Sequence, residues 1–495
     1  MYLLGYDVGS SSVKATLLEA ETGIVTASAS SPKKEMLITA RAPGWAEQSP
    51  ALWWEHIKKA TAEILTASRI DPAEIAAIGI SYQMHGLVLT DRNGQVLRDA
   101  IIWCDSRAVE IGEKAAKAIG EEKCLKRLLN FPGNFTASKL KWVMEHEPDI
   151  FKRTRKIMLP GDYIAFRLTG RIKTTPSGLS EGILWDFQER QVATLVLDQY
   201  GIDRDLLPEV VPTFSVQGEL TTSAAAELQL TAGTKVSYRG GDQPNNALSL
   251  NVLEPGEIAA TAGTSGVVYG IGEQSDYDPQ SRVNTFVHVN NTPERPRYGV
   301  LLCLNGTGIL NSWLKHNVMG GVEDYAQMNE LASHVPVGAR GLRILPYGNG
   351  AERTLGNRNI NCSMHGLNFN THHRAHFLRA GQEGIVFALN YGLDIMRRMN
   401  LKIEKVRAGN TNMFLSPLFA SAFATVTGAT VELYDTDGSQ GAARGAGLGA
   451  GIYKNYNEMF VGLKRTGTIE PDKNTAGIYQ QAYQDWLKTL RRQLG

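Results

Sequence analysis

Hydrophobic and polar positions in the first thirty residues follow the period of two that is typical of β-strands. Tyr2 to Val8 is an apolar run, and Gly9-Ser10-Ser11 predicts a turn after it. Apolar residues then alternate with polar ones from Val13 to Leu17, and a second turn leads into Ile24 to Ala29. This pattern predicts three short strands joined by tight turns, a β-meander.

The pattern then changes to the period of a helix. Ser49 is suited to cap a helix that begins with Pro50, because a proline tolerates the first helical position. A strand is predicted over Ile75 to Tyr82, a hairpin turns at Asn93-Gly94, and a short strand follows over Ala100 to Cys104. Strands followed by alternating helices and strands indicate an α/β domain.

A similar pattern begins again halfway along the chain. Glu257 to Ala262 and Val267 to Ile271 flank a second glycine turn, Gly263 to Gly266. Further strands and helices alternate behind it, with predicted bounds Val300 to Leu304, a helix from Gly308, Leu342 to Pro346, Ala375 to Met399, Glu404 to Ala408 and Thr430 to Tyr434. The regular pattern breaks near Leu248 to Gly256. We therefore predict two related domains, residues 1–247 and 256–495.

Composition excludes several classes of function. A chain of 495 residues is long enough for two domains, and 51 Lys and Arg balance 50 Asp and Glu. This balance gives no electrostatic reason to bind nucleic acid or an anionic membrane. The sequence has no apolar run of about 20 residues and no signal-peptide pattern. Its four cysteines are widely spaced. We expect a cytoplasmic protein.

The first glycine turn is a candidate phosphate site. Asp7 precedes Gly9 and Ser10, and Lys14 follows them on the next predicted strand. Backbone N–H groups in such a turn can bind phosphate oxygens, the carboxylate can hold Mg²⁺ through water, and the lysine can meet phosphate charge. Alone, this is also the sequence of an ordinary turn. The second turn at Gly263 strengthens the interpretation, because two such turns could hold a polyphosphate between them.

Polar residues follow three of the predicted strands. Gly240-Gly241-Asp242-Gln243 ends one strand, where α/β proteins usually bind their ligands, and the two glycines allow close approach. Gln83 to Gly86 and Trp103 to Arg107 end two others and include a tryptophan face suited to sugar C–H groups. Each cluster has an ordinary alternative, a solvated turn or a structural histidine. Together they predict a binding site.

Other nucleotide and metal motifs are missing from the sequence. It contains neither a Walker loop nor the His-Arg-Asp loop of protein kinases. Gly445 to Ala450 satisfies a loose dinucleotide pattern, but no strand directly precedes it, so a closely packed helix face is the better interpretation and a Rossmann dehydrogenase is disfavoured. His372, His373 and His376 could suggest zinc, yet the glutamate of a catalytic zinc motif does not accompany them.

In their order along the chain, these motifs resemble those of the FGGY carbohydrate kinases. The resemblance extends over nearly the whole length and rests on the runs DVGSSSVK, SYQMHG, IIWCDSR, FTASKLKWVMEHEP, LPGDYIAFRLTG, GGDQ, AGTSG, AERT, RAGQEGIVFAL and GAARGAG. It implies two actin-like (ribonuclease H-like) α/β domains flanking a central cleft. It also implies transfer of phosphate from ATP, with Mg²⁺, to a small sugar.

The resemblance also implies roles for single residues. Asp242 would be the general base that takes the proton from the attacking sugar hydroxyl, and Asp7 would help to place Mg²⁺. Residues expected to contact the sugar are Met84, His85, Trp103 and Asp105, with Asp242 and Gln243. Residues expected to contact the nucleotide are Gly9, Ser10 and Lys14 at the phosphates, Gly263, Thr264 and Gly308 on the phosphate side, and Gly409 and Asn412 at the adenosine.

The acceptor that this resemblance favours is D-xylulose. The run from Gln83 to Gly86 points to it, since members that act on glycerol usually carry Arg-Glu at the corresponding place. Gln243 departs from the asparagine usual in members that act on xylulose, so ribulose, gluconate and glycerol remain alternatives. From another class, an actin-like nucleotide-binding protein without sugar activity would use the same glycine turns. The resemblance is compatible with a homodimer.

Overall fold

The computed structural model describes residues 1–321 and 324–495. Its contacts divide the chain into two compact units, and each unit contains separate segments of the sequence. The first unit comprises Met1–Asn251, Phe286–Tyr298 and Thr436–Leu463; the second comprises Val252–Thr285, Gly299–Asp435 and Lys464–Gly495. The predicted domains, 1–247 and 256–495, are continuous segments of the sequence, whereas each of these units comprises three segments. The predicted division into domains stays a prediction.

A six-stranded sheet forms the centre of the first unit. Its strands lie in the order Phe214–Glu219, Lys235–Gly241, Ile75–Tyr82, Tyr2–Val8, Val13–Glu19 and Val25–Ser31. Tyr2–Val8 and Ile75–Tyr82 run parallel, as do Ile75–Tyr82 and Lys235–Gly241, whereas the three strands of the meander are antiparallel. The predicted meander is confirmed, and three parallel strands end at one edge of this sheet.

Helices and short strand pairs surround this sheet. The helices are Pro50–Ser68, Val109–Ile119, Glu121–Leu128, Thr136–His146, Pro148–Arg153, Pro160–Thr169, Pro176–Glu181, Thr194–Tyr200, Thr222–Leu228, Asp242–Ser249, Gly438–Gly449 and Tyr456–Met459. The short pairs are Glu47–Gln48 with Ala100–Ile101, Val88–Thr90 with Lys156–Met158, Lys173–Thr174 with Glu209–Val210, and Trp185–Asp186 with Gln191–Val192. The helix predicted from Pro50 is confirmed. The strand predicted over Ala100 to Cys104 ends at Ile101, because Asp105 N–H turns back onto the Ile102 carbonyl.

The helix Gly438–Gly449 packs directly on this sheet although it lies late in the sequence. A Cβ atom at Gly5 would lie 1.9 Å from the Ser439 carbonyl oxygen, and one at Gly79 would lie 1.9 Å from the Ala442 carbonyl oxygen. Neither distance is compatible with a side chain, so two strand glycines allow this contact. The interpretation of Gly445 to Ala450 as part of a closely packed helix face is confirmed.

The second unit is built on a seven-stranded sheet, with an additional strand pair and five helices among the described residues. The strands lie in the order Asn284–Val287, Tyr298–Leu304, Gly266–Gly272, Glu257–Ala262, Lys405–Gly409, Thr430–Tyr434 and Arg465–Ile469; the pair is Arg343–Leu345 with Ser363–His365. The helices are Gly308–Asn317, Tyr325–Ser333, Arg374–Arg398, Pro417–Thr427 and Ala476–Leu494.

One buried helix organises the hydrophobic core of the second unit. Arg374–Arg398 buries most of its length, and Phe387 on this helix packs against Tyr483 and Trp486 of the last helix. The Trp486 indole N–H donates to the Ile344 carbonyl at 2.9 Å, so the ring is both packed and hydrogen-bonded. Within residues 1–321 and 324–495, none of the helices combines the length and hydrophobicity that crossing a bilayer requires.

Candidate active site

Asp7 lies at the edge of the first unit's sheet where the parallel strands end. It faces Lys14 across the hairpin, and its Oδ1 accepts a hydrogen bond from the Ser81 hydroxyl at 2.8 Å. A Cβ atom at Gly438 would lie 2.7 Å from Asp7 Oδ2, so this carboxylate meets the first turn of the helix Gly438–Gly449. Burial raises the pKa of Asp7, while Ser81 and Lys14 lower it and the neighbouring Asp437 charge raises it again.

The glycine turn after Asp7 has a defined internal hydrogen bond. Gly9 N–H donates to the Ser12 carbonyl at 3.1 Å. This N–H group therefore stabilises the turn and is not free to bind a phosphate oxygen. The Ser10 carbonyl accepts from Gln48 Nε2 at 2.8 Å, and the Ser10 hydroxyl accepts from the Trp103 indole at 3.2 Å. Trp103 is 52% exposed. Two predicted site residues, Ser10 and Trp103, therefore touch each other.

Asp242 begins a helix at the end of the neighbouring parallel strand. The strand Lys235–Gly241 pairs Gly240 with Ser81, and Ser81 pairs with Asp7 in the next strand. Gly241 is the N-cap of the helix Asp242–Ser249, so the carboxylate occupies the first helical position, where the helix dipole favours negative charge. Burial, followed by the charge of Asp7, raises the pKa of Asp242 to about 7, against the lowering effect of hydrogen bonds from Gln243.

Met84 and His85 follow the strand Ile75–Tyr82 and lie beside the Gly241-Asp242 corner, the point where the strand Lys235–Gly241 turns into the next helix. Gln83 N–H donates to the Val8 carbonyl at 2.9 Å, which holds this turn at the end of the sheet. A Cβ atom at Gly241 would lie 2.6 Å from Met84 Cγ, so the methionine packs on the backbone before Asp242. His85 has a left-handed backbone (φ 62°), and its Nδ1 donates to the Glu181 carbonyl at 2.8 Å. Such a conformation in a residue other than glycine is often found at functional sites.

Asp105 lies nearby but has a different environment from the one expected. Its side chain is completely buried, and its carboxylate oxygens accept hydrogen bonds from the Arg107 guanidinium and from Ala46 N–H. Arg107 in turn stacks on Trp45. These contacts stabilise the conformation of the turn that carries Trp103 and Asp105. The expected direct contact between Asp105 and a sugar stays a prediction.

Two buried ionisable residues at this corner were not predicted. Lys139 Nζ donates to the carbonyls of His85 and Ile102 at 2.9 Å each, and burial lowers its pKa to about 7. Glu181 ends the helix Pro176–Glu181 and is also buried. Lys139 lies within the FTASKLKWVMEHEP run, and a lysine on the buried face of a helix is the signal that could have marked it.

In the second unit, the other glycine turn contacts the start of a helix. The Gly263 carbonyl accepts from Gly308 N–H at 2.9 Å and from the Thr307 hydroxyl at 3.1 Å, and the same hydroxyl lies 3.1 Å from the Thr264 carbonyl. A Cβ atom at Gly308 would lie 2.3 Å from the Gly263 carbonyl oxygen, so a side chain would separate turn and helix. The exposed Thr264 backbone also accepts from Ile309 N–H.

The turn after the strand Lys405–Gly409 lies beside the glycine turn at Gly263. Asn412 has a left-handed backbone (φ 54°), and its side-chain nitrogen donates to the Thr411 hydroxyl. This nitrogen lies 3.6 Å from the position of a Cβ atom at Gly263. The structure thus brings Gly263, Thr264, Gly308 and Asn412 together within the second unit, with Gly409 three residues before Asn412.

The acidic residues of the first unit suit a Mg²⁺ ion only if other oxygens complete its shell. The charge of Asp437 raises the pKa of Asp7, and the Asp437 carboxylate caps the helix by accepting a hydrogen bond from Gln440 N–H. Across the described parts of the chain, no three His, Cys, Asp or Glu side chains are grouped to hold a metal ion. Mg²⁺ commonly binds through one or two carboxylates together with water and substrate phosphates, so this donor set fits it.

Comparison with known proteins relates both sets of residues to one protein family. Residues 2–249 match the N-terminal domain of the FGGY family of carbohydrate kinases, and residues 258–452 match its C-terminal domain. The chain is 32% identical over 466 residues to the xylulose kinase of Bacillus subtilis (strain 168), covering 92% of this chain and 90% of that protein. It is 28% identical to the xylulose kinase of Escherichia coli (strain K12), covering 99% and 98%.

Solved structures agree with this relationship. The xylulose kinase from Rhodospirillum rubrum has a TM-score of 0.88 and 25% identity, covering 99% of both chains. The ligand-bound xylulose kinase from Lactobacillus acidophilus has a TM-score of 0.89 at 23% identity, covering 99% of this chain and 98% of that one, and supports the fold. The predicted ribonuclease H-like, actin-like α/β fold of the two domains is confirmed. With both domains matched, the chain belongs to the FGGY family of carbohydrate kinases.

Proposed function

We propose that this kinase transfers the γ-phosphate of MgATP to D-xylulose and forms D-xylulose 5-phosphate. The observation that carries the proposal is the position of Asp242 beside Met84, His85 and Asp7, at the shared end of three parallel strands. Xylulose kinases related over 90% or more of this chain support the choice of sugar. A cytoplasmic location and a homodimer stay predictions.

Asp242 is the proposed general base. Its ionised carboxylate accepts the proton of the attacking sugar hydroxyl while the hydroxyl oxygen forms a bond to the γ-phosphorus. The bond between that phosphorus and the bridging oxygen breaks, and ADP leaves with the electron pair. A base with a pKa of about 7 is well matched to this task at neutral pH, because it is partly ionised and still basic.

Asp7, with Asp437 beside it, is the proposed position for Mg²⁺ in the first unit. The ion, when bound, would neutralise charge on the phosphate oxygens. Lys14 lies opposite Asp7 on an exposed position of the hairpin and would add a further positive charge for phosphate. Ser10 and the turn at Gly9 are the proposed phosphate contacts, with Gly9 contributing its conformation.

The second unit supplies the proposed nucleotide contacts. Gly263, Thr264 and Gly308 form one partly exposed turn at the start of the helix Gly308–Asn317, whose positive end suits phosphate oxygens. The Gly308 N–H is already used by the Gly263 carbonyl, so Gly308 contributes the close contact between turn and helix. Asn412 lies next to Gly263, and we assign Gly409 and Asn412 to the adenosine end. The helix Gly308–Asn317 has ten residues, long enough for its dipole to matter at this turn.

Sugar recognition is assigned to the first unit. Met84 gives an apolar surface beside the Asp242 corner, His85 a polar ring, and Trp103 an exposed indole face for C–H groups. Gln243 follows the base and hydrogen-bonds to its carboxylate. It also stands where members of the family that act on xylulose usually have asparagine. We therefore expect Gln243 to affect sugar choice more than rate.

A panel of acceptors tests the proposal. ADP release would be measured with D-xylulose, D-ribulose, gluconate and glycerol, and with ATP alone. We expect the highest kcat/KM for D-xylulose. Preference for another member of the panel would contradict the choice of sugar while leaving the kinase assignment intact. An ATP turnover that no acceptor increases would instead support an actin-like nucleotide-binding protein and contradict the proposed reaction.

A further inference from the structure

Glu181 is a buried carboxyl group for which the proposed reaction has no role. It ends the helix Pro176–Glu181 and is only 1% exposed. Among the described residues, the Tyr82 hydroxyl is placed to hydrogen-bond the Glu181 carboxylate, but the geometry of this contact is poor. A buried carboxyl whose oxygens are poorly satisfied is costly, so its presence at this position has a physical cause.

The side chain of Glu181 lies directly against the backbone that precedes the base. A Cβ atom at Gly241 would lie 2.7 Å from Glu181 Oε2 and 2.6 Å from Met84 Cγ. Only a glycine at position 241 leaves room for both groups. The carboxyl therefore packs where the chain leaves the strand and turns into the helix that Asp242 begins.

The backbone of Glu181 contacts the other side of the sugar site. Its carbonyl oxygen accepts the 2.8 Å hydrogen bond from His85 Nδ1. Lys139, which lies close enough to affect the charge of Glu181, donates to the His85 carbonyl. One residue thus connects the left-handed His85 turn with the Gly241-Asp242 corner, while its own carboxyl remains enclosed.

The surroundings of Glu181 favour an uncharged carboxyl. The groups that act on its carboxyl are the Tyr82 hydroxyl, the carboxyls of Asp242 and Asp162, and the amine of Lys139. The His85 ring contacts the backbone carbonyl of the same residue. Burial raises the pKa of Glu181 well above its usual range, and the charges of Asp242 and Asp162 raise it further, against Tyr82 and Lys139. Asp162 is itself paired with Arg239. When Asp242 is ionised, its charge further disfavours ionisation of Glu181.

We propose that Glu181 is a positioning residue: its uncharged carboxyl supports the backbone of Gly241, fixes the direction of Asp242 and ties that corner to the His85 turn. The inference rests on the proposed role of Asp242 as the base. It assigns no contact between Glu181 and the sugar. Loss of the carboxyl should therefore affect catalysis more than sugar binding.

Glu181→Ala tests this separation. Because small misplacements of a catalytic group are costly, we expect kcat to fall by about tenfold or more. The dissociation constant of the sugar, measured by calorimetry, should change by no more than about threefold, within 1 kcal/mol. Water entering the vacated space would solvate Asp242, so the acid limb of the kcat/KM profile should move to lower pH. Each assay uses the full chain and the best acceptor from the panel.

Glu181→Gln is the conservative comparison, because a neutral amide replaces a neutral acid of the same size. It should recover much of the kcat lost in Glu181→Ala and leave the acid limb where it is in the unmodified enzyme. If Glu181 were ionised during turnover, Glu181→Gln would remove a negative neighbour and shift that limb to lower pH, which would overturn the inference. This variant also decides the matter if Glu181→Ala does not fold.

Asp186→Asn is the matched structural control. Asp186 is as buried as Glu181, lies five residues later, and is paired with Arg127 rather than placed near the base. We expect a lower unfolding temperature without a shifted acid limb. If Glu181→Ala behaves in the same way, its role is structural only; if sugar affinity falls and kcat does not, it is a sugar ligand. Asp242→Asn, assayed in parallel, shows separately whether the base assignment itself fails.

Discussion

Replacing Asp242 with asparagine isolates proton transfer from the other contributions of this residue. The two side chains have the same size, and the asparagine carbonyl can still accept the hydrogen bonds that Gln243 gives to Asp242. The first position of the helix Asp242–Ser249 stays occupied by a residue that tolerates it. What is lost is a group that can take a proton from the attacking hydroxyl.

The size of the effect follows from this role and from the pKa of Asp242. A positioned general base contributes about 10²–10⁴ in rate, or about 2.7–5.5 kcal/mol of barrier. With a pKa of about 7, Asp242 is mostly ionised at pH 8 and mostly protonated at pH 6. The kcat/KM of the unmodified enzyme should therefore fall by about tenfold between these two values, as the base becomes protonated. The Asp242→Asn variant should lack this acid limb.

Coupled ADP release at saturating sugar and ATP measures kcat, and calorimetry measures sugar affinity. We expect Asp242→Asn to lose kcat by the factor above while the dissociation constant for the sugar changes little. A variant that keeps more than about a tenth of the original kcat would refute the assignment, since that loss is too small for a general base. His85 would then be the next candidate. Asp186→Asn again controls for a change in folding.

Two further variants probe the metal and nucleotide assignments. Asp7→Asn should raise the Mg²⁺ concentration needed for half-maximal rate, and excess Mg²⁺ should restore part of the lost rate. Because Asp7 raises the pKa of Asp242, the same variant should also shift the acid limb of the kcat/KM profile to lower pH. A magnesium response unchanged from the original enzyme would contradict the metal role. Thr307→Val removes the hydroxyl that contacts the Gly263 and Thr264 carbonyls. It should lower the free energy of unfolding by about 1–3 kcal/mol and raise KM for ATP but not for sugar; equal effects on both would argue against the nucleotide assignment.

Much of the architecture could be predicted because local periodicity decides it. The bounds of Tyr2–Val8, Ile75–Tyr82 and Glu257–Ala262 agree with the predictions, since each is an apolar run closed by turn residues. Residues at the ends of parallel strands meet at one sheet edge, which is why Asp242 and Met84 were expected together. Strand order and the place of the helix Gly438–Gly449 depend on contacts between distant segments, which periodicity does not encode.

The buried polar groups were harder to predict. Asp105 lies in a polar run that suits a binding site, yet its carboxylate forms an ion pair with Arg107. This pairing depends on the conformation of the turn from Trp103 to Arg107, which the sequence pattern does not determine. Glu181 has the sequence character of a solvent-exposed charge, and Lys139 is marked only by its position on the buried face of a helix. Their importance depends on burial and on what lies opposite, so it becomes visible only when the His85 turn and the Gly241 corner are seen side by side.

The late helix Gly438–Gly449 has a consequence for how the protein is made. The ribosome releases the strands Tyr2–Val8, Ile75–Tyr82 and Lys235–Gly241 long before residue 449. At about 5–20 residues per second, synthesis of residues 252–449 takes about 10 to 40 seconds, during which the grooves at Gly5 and Gly79 lack the helix that fills them. The nascent chain therefore carries an uncovered apolar sheet face, a surface for chaperones, and a truncated product ending near residue 251 would keep that face exposed and aggregate.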